Sequence, residues 1–281
     1  MVTQPNDRPG LARLGPPIDA RPLFGPELEA LLGLLRGLRA PDWGRIAVPG
    51  WTVHDVAAHL LGDYRARLGR REPTLVFAPD EALEAFIHRA NQEWVDLHRD
   101  VTDAALVDDL ERTGTELAQR FARADLYTPA LGVSWAGVDP APMWLDCARE
   151  FTEHWTHRQQ IRHAVGRDTD AEPRVLSLVL DTFMRALPHT LRDTGAPDGT
   201  QIQVTVDGPV EAGWTVTAGR DGWSLAPAPA GRPAATLRLD AETAWRLCTR
   251  GIQPATAFAR AGVLGDRRLG EAVCRIVSVV Y

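Results

Sequence analysis

Cys147-Ala-Arg-Glu-Phe-Thr-Glu-His-Trp-Thr-His-Arg-Gln-Gln-Ile-Arg162 is the stretch on which the rest of the chain is read. Trp144, Cys147/Ala148, Phe151, Trp155, Ile161 and Val165 recur around it at helical spacing. On a helix, residues four apart lie one turn apart on the same face. Glu153 and His157 therefore project together, and so do Glu150 and His154. Either pair could be an ordinary solvated helix pair. A carboxylate and an imidazole bordering one space also bind a hard or borderline divalent metal, given a further donor from elsewhere. Spacing does not choose between the two pairs.

The best further donor is His59, in Trp51-Thr-Val-His-Asp-Val-Ala-Ala-His-Leu-Leu-Gly62. Thr52 and Asp55 form a capping box, with Trp51 and Val56 as a hydrophobic staple, so a helix starts at Val53 and runs to about Leu68. Val53, Val56, Leu60 and Tyr64 then face a core and His59 borders that stripe, where a plain core histidine is the competing reading. His54, beside Asp55, is expected to be exposed.

The 281 residues suffice for two domains, and 44% hydrophobic with 24% charged residues is ordinary globular composition. A net charge of −6 gives no electrostatic case for nucleic acid. All 31 basic residues are arginine, which a GC-rich bacterial coding bias explains better than folding does. Cys147, Cys248 and Cys274 sit in apolar helical patterns without metal-ligand spacing and are expected as buried free thiols, suiting a reducing cytoplasm. The polar, proline-rich N-terminus has no apolar signal core, and the longest apolar run, Val175–Leu187, is interrupted by Ser177, Asp181 and Arg185. No membrane partner is expected.

In chain order, residues 1–20 are expected as a flexible leader. Helices are predicted from Pro26 to near Pro41, from Val53, from an Asp80 cap to about Asp100, from Asp103, and over Met143–Val165, stopped by Gly166. Asp125–Pro142 is a long Pro, Gly and Trp loop of the kind that walls a pocket. Residues 167–198 connect through the helix Val175–Leu187. Past Gly199 the pattern turns to strands: Ile202–Val206, a hairpin of Trp214–Thr217 and Trp223–Leu225 around Gly219–Gly222, and Ala235–Leu239. Ala226–Ala230 is a loop. Asp240 caps a helix Ala241–Thr249, and Leu269–Val280 closes the chain as another. The fold class is α+β, a helical domain over 21–166 followed by a smaller α+β domain over 199–281.

Together these stretches resemble the mycothiol-dependent maleylpyruvate isomerase family, within the DinB-like metal-binding four-helix bundles. Val48–Gly62, with its Ala58-His59-Leu60 step, is similar to that family's entry to its second helix. Glu153-His-Trp-Thr-His157-Arg-Gln-Gln-Ile-Arg162 is similar to its metal-binding helix, and the tail through Gly265-Asp-Arg-Arg-Leu269 to its sterol-carrier-like C-terminal domain. The resemblance implies an up-down bundle with His59, Glu153 and His157 as metal ligands and mycothiol as thiol cosubstrate; the His/Glu/His set suits zinc, and such a triad also holds iron, nickel or manganese. It thereby prefers Glu153/His157 over Glu150/His154. Where the family has an Asp-Leu step, this chain has Gln160-Ile161, which puts the substrate rather than the metal in doubt.

An open metal site holding a thiol generates a nucleophile at neutral pH. Isomerisation or S-transfer on a small electrophile is the expected reaction, with Arg267, or as the second choice Arg268, to pair with a carboxylate of substrate or cofactor; a plain surface arginine at a helix start is the competing reading. A thiol-independent hydrolase or lyase acting through bound water, and a non-catalytic binding bundle, are the alternatives. The protein is expected to be cytoplasmic and either monomer or homodimer.

Overall fold

The computed structural model describes residues 11–72, 76–226 and 231–278. Contacts gather the chain into two compact units. One combines Arg21–Ala124 with Glu153–Asp170; the other combines Asp125–Thr152, the chain from Ala171 onward and the N-terminal segment through Ala20.

The first unit is helical. It holds α1 (Phe24–Arg36), α2 (Val53–Arg67), α3 (Leu83–Leu97), α4 (Asp103–Ala122) and the second half of α5 (Met143–Ala164). Helix α2 packs against both α4 and α3, and α1 packs against α4. Val53, Val56, Leu60 and Tyr64 of α2 are all buried, as their spacing predicts. The approach of α3 to α2 depends on Gly62: a Cβ there would stand 2.6 Å from the Trp94 indole nitrogen, which donates to the Ala58 carbonyl at 2.7 Å.

Helix α5 is tied to α1 by charge. Arg158 donates to both oxygens of Glu27, at 2.5 and 2.9 Å, and to Asp170 at 2.7 Å. Burial opposes both charges. At Arg158 the fork-to-carboxylate geometry prevails and holds the guanidinium above its ordinary range, while at Glu27 burial prevails and keeps the carboxyl above its ordinary value despite Arg158. Gly166 ends the segment in a left-handed conformation (φ +74°), which its missing Cβ permits.

Two expectations in this unit are corrected. Helix α3 begins at Leu83 with Ala82 as N-cap, not after Asp80, whose own φ is +58°. Glu81 instead turns the entry, accepting from the Ala78 N–H and from Arg89. His54 is not exposed: Nδ1 faces Asp103 Oδ1 at 2.9 Å and Nε2 the His98 carbonyl at 3.2 Å, linking the starts of α2 and α4 to the end of α3.

The second unit carries a five-stranded sheet. Its strands are β1 (Gln201–Asp207), β2 (Ala212–Gly219), β3 (Gly222–Ala226), β4 (Ala235–Asp240) and β5 (Gly262–Gly265), in the order β3-β2-β1-β4-β5. The predicted hairpin forms with Gly219 opposite Gly222, while β1 and β4 pair in parallel with Ile202 opposite Ala235. Ile202, Val204 and Val206 turn to the buried face, the strict alternation of a one-sided strand. Helices α6 (Pro173–Met184), α7 (Ala241–Cys248), α8 (Pro254–Arg260) and α9 (Arg267–Val273) complete the unit, α7 starting on the Asp240 cap as expected.

Three further differences fall here. The described part of the expected leader is packed, with Leu11, Leu14, Ile18 and Ala20 buried and Arg13 donating to the Gly137 carbonyl at 2.9 Å; Met1–Gly10 lie outside the described residues. The terminal helix starts earlier and ends at Val273, because Asp266 caps it and Ser278 then holds the following chain to the Cys248 and Phe183 carbonyls. Pro227–Ala230, expected as loop, also lie outside the described residues. The Asp125–Pro142 loop contains the short ladder Pro129–Ala130 with Ala141–Pro142 and buries Val133, Trp135 and Ala136. Among the described residues no helix is long and apolar enough to cross a membrane.

Candidate metal centre

His59 reaches its place because α2 starts where it does. The Thr52 side chain accepts from the Asp55 N–H at 3.2 Å, and Asp55 accepts from the Thr52 N–H at 2.8 Å, closing the capping box. Two turns later His59 is 7% exposed, its ring centroid 5.0 Å from that of Trp51.

From α5, His157 meets it edge to face, ring centroids 4.8 Å apart. Glu153 Oε2 lies 3.9 Å from His157 Nε2. His59 and Glu153 thus each border His157 inside the helical unit. The other register is arranged differently. His154 is enclosed by Phe24 and Tyr64, at 5.4 and 4.6 Å between centroids, and Glu150 accepts from Arg149 at 3.2 Å.

Sequence reasoning missed a fourth neighbour. Asp63 Oδ2 stands 3.2 Å from His59 Nε2. The signal in the sequence is His59-x-x-x-Asp63, the spacing that also separates Glu153 from His157.

The electrostatics favour a neutral, coordinating imidazole at position 157. Burial first, and the neighbouring His59 next, push its pKa down from 6.5 to about 3. Nδ1 faces Gln160 Oε1 at 2.8 Å. An amide oxygen only accepts, so Nδ1 carries the proton and Nε2 keeps its lone pair on the side facing Glu153. That is the tautomer a metal ligand needs.

The donor chemistry fits a divalent ion, while the donors meet in pairs. Among the described residues no group of three or more His, Cys, Asp or Glu side chains is arranged to hold a metal ion. The pairwise distances and the ring contact define a shared neighbourhood, not a closed coordination sphere.

Arg267 belongs to the other unit. It opens α9, is exposed, and its guanidinium carbon lies 4.8 Å over the Phe258 ring. Cys147, Cys248 and Cys274 are free and buried, and burial pushes the Cys248 and Cys274 thiols up to about 12.

Residues 24–162 match the sequence model of a family described as the mycothiol maleylpyruvate isomerase N-terminal domain. Two solved structures are similar at 16% identity, each covering 87% of this chain and 90% of its own. They are a crystal structure of the mycothiol-dependent maleylpyruvate isomerase, with a TM-score of 0.44, and one of a histidine-to-alanine mutant, with a TM-score of 0.40. No curated protein matches the chain.

Proposed function

Residues 24–162 belong to the family of mycothiol maleylpyruvate isomerase N-terminal domains, and from that premise we propose that the protein is a metal- and mycothiol-dependent enzyme acting on a small electrophile. The observation that carries the reading is the meeting of His59 and His157, rings 4.8 Å apart, with Glu153 beside them, inside the matched residues.

His59, Glu153 and His157 are the proposed ligands. A divalent ion there, zinc by the neutral two-imidazole, one-carboxylate set, would favour the deprotonated form of a bound thiol at neutral pH. The chain's own contribution is to keep that set ready. The Gln160 amide fixes the His157 tautomer, burial keeps its ring uncharged, and the Trp51 indole covers the His59 ring. Arg267 is the proposed partner for a carboxylate of substrate or thiol; its guanidinium is solvent-exposed and positioned on the Phe258 ring.

The thiol comes from outside the chain in this reading, since Cys147, Cys248 and Cys274 are all buried and burial pushes the Cys248 and Cys274 thiols up to about 12. Sulfur adds to an electrophilic carbon; its return after bond rotation is isomerisation, its retention S-transfer. The Gln160-Ile161 step, in place of the family's Asp-Leu, supports a substrate other than maleylpyruvate.

The test is to titrate mycothiol into cobalt-loaded protein and to assay turnover with and without the thiol. An intense sulfur-to-metal charge-transfer band and thiol-dependent turnover are expected. No band at saturating thiol, with thiol-independent turnover, replaces this reading with bound-water chemistry.

A further inference from the structure

We propose that the second unit carries a ligand site of its own, an open groove that takes a small aromatic carboxylate with its anionic end on Arg174 and its flat body on Trp214. The lining falls within residues 16–18, 174–185 and 212–214. All of these lie outside the family-matched residues 24–162, and all belong to one compact unit.

The groove measures about 490 Å³, a size ordinary for small-molecule sites. Its walls are tied to one buried side chain, Arg185, the C-cap of α6. Arg185 donates to the Leu14 carbonyl and, at 2.7 Å, to Asp181 Oδ2. Gly15 (φ +80°) lets the chain pass over that guanidinium, with which any Cβ there would collide. Pro16 and Pro17 follow as one wall, two residues of fixed φ on an anchored base. Trp214 Nε1 donates to the other oxygen of Asp181 at 2.9 Å, which sets the indole as a second wall.

Charge decides what such a groove takes. Asp181 is matched by Arg185 and by the Trp214 N–H, so those charges cancel within the lining. Glu172 is occupied as the α6 cap, accepting from the Arg174 and Val175 N–H groups at 3.2 and 2.8 Å. That leaves the exposed Arg174 guanidinium as the uncompensated charge of the lining. Among the described residues its side chain enters no hydrogen bond or ion pair. A cation in the first turn of α6 also gains nothing from the helix dipole, whose positive end it faces.

Ser177 stands three residues on, so a guanidinium and a hydroxyl border the same part of the groove. A carboxylate accepts from both. A neutral ligand leaves Arg174 unpaired, and a cationic one is repelled by it. The indole and the proline rings present flat apolar faces, which favour an aromatic body over a branched aliphatic one.

The probe is 2-naphthoate, titrated calorimetrically into the full chain as wild type, Arg174→Gln, Ser177→Phe and His157→Ala, with circular dichroism as the fold control. Arg174 and Ser177 are exposed, so their variants should keep the fold. Wild type should bind naphthoate, and Arg174→Gln should bind it about 10-fold more weakly or worse, the worth of a charge-assisted hydrogen bond. Ser177→Phe, which puts a ring into the groove, should not bind it. The neutral isostere 2-naphthamide should bind wild type no better than naphthoate binds Arg174→Gln, and His157→Ala should bind naphthoate as wild type does. Absence of binding at millimolar naphthoate overturns the proposal. So does naphthamide binding as tightly as naphthoate, which makes the groove an apolar surface without anion recognition. Loss in His157→Ala with full binding in both groove variants moves the ligand to the helical unit and overturns it too. If a groove variant fails to fold, wild-type crystals soaked in naphthoate decide: its carboxylate at about 3 Å from the Arg174 guanidinium supports the site, and naphthoate bound elsewhere ends it.

Discussion

The Gln160 amide oxygen lies 2.8 Å from His157 Nδ1, on the same turn of the same helix. With the amide oxygen turned to it, Nδ1 is the protonated nitrogen and Nε2 keeps its lone pair. The amide differs from a carboxylate at this place in one respect. An amide leaves the imidazole less basic than a carboxylate would, since it adds no negative charge behind the ring.

Gln160→Leu should therefore keep the fold and lower metal affinity by 10- to 100-fold, the usual cost of removing a partner behind a ligating histidine. Gln160→Glu should bind metal at least as tightly as wild type. Competition with a chromophoric chelator measures both. Equal affinity in all three proteins would mean that the Gln160 contact has no part in orienting the ligand.

His157→Ala should strip the metal, whereas His154→Ala should retain it and lose stability instead. The reason is surroundings: His157 faces His59, while His154 is packed against Phe24 and Tyr64. Truncating a buried ring of that kind costs on the order of 2–4 kcal/mol. Metal content by atomic emission and urea denaturation separate the two effects. The reverse pattern would assign the centre to Glu150 and His154.

The helix start at Val53 was legible because capping is local: Thr52 and Asp55 satisfy each other within one turn, whatever packs beyond them. The β1 alternation and the Asp240 cap were legible for the same reason. What sequence could not give depends on partners distant in the chain. Ser278 meets the Phe183 carbonyl, so the last described segment turns out of the helix where its apolar pattern reads as helix. His54 finds Asp103, so a polar residue in a first turn becomes half-buried. At the site, spacing supplied two equivalent registers on α5 and resemblance chose one. Asp63 stands four residues from His59, the spacing that Glu153 has from His157.

Metal-free protein should lose stability as pH falls from about 6.5 toward 3. His157 is held at about 3 in the folded state against an ordinary 6.5. Between those values the unfolded chain carries a proton there that the folded chain refuses, so stability rises with pH through the window and flattens above it. The full shift corresponds to a few kcal/mol at about 1.4 kcal/mol per unit. Urea midpoints of chelated wild type and His157→Gln, compared from neutral to mildly acidic pH, check it. Wild type should show the steeper decline, and parallel curves would mean that the ring titrates normally.

Gly62→Ala should destabilise the protein although alanine is the better helix former by about 1 kcal/mol. The new Cβ would stand 2.6 Å from the Trp94 nitrogen and 2.7 Å from its Cδ1, well inside contact distance. The indole cannot simply turn away, because it is buried and its N–H is given to the Ala58 carbonyl at 2.7 Å. Either that bond breaks, leaving a buried donor unpaired, or α3 moves off α2; overpacking of this sort costs about 1–3 kcal/mol. A shift of α2 would also be felt three residues earlier at His59, so the variant should bind metal more weakly as well as melt earlier. Trp94→Phe in the same background removes the indole nitrogen that clashes and should recover part of both losses. A Gly62→Ala protein as stable as wild type would show that the α2–α3 contact is looser than these distances require.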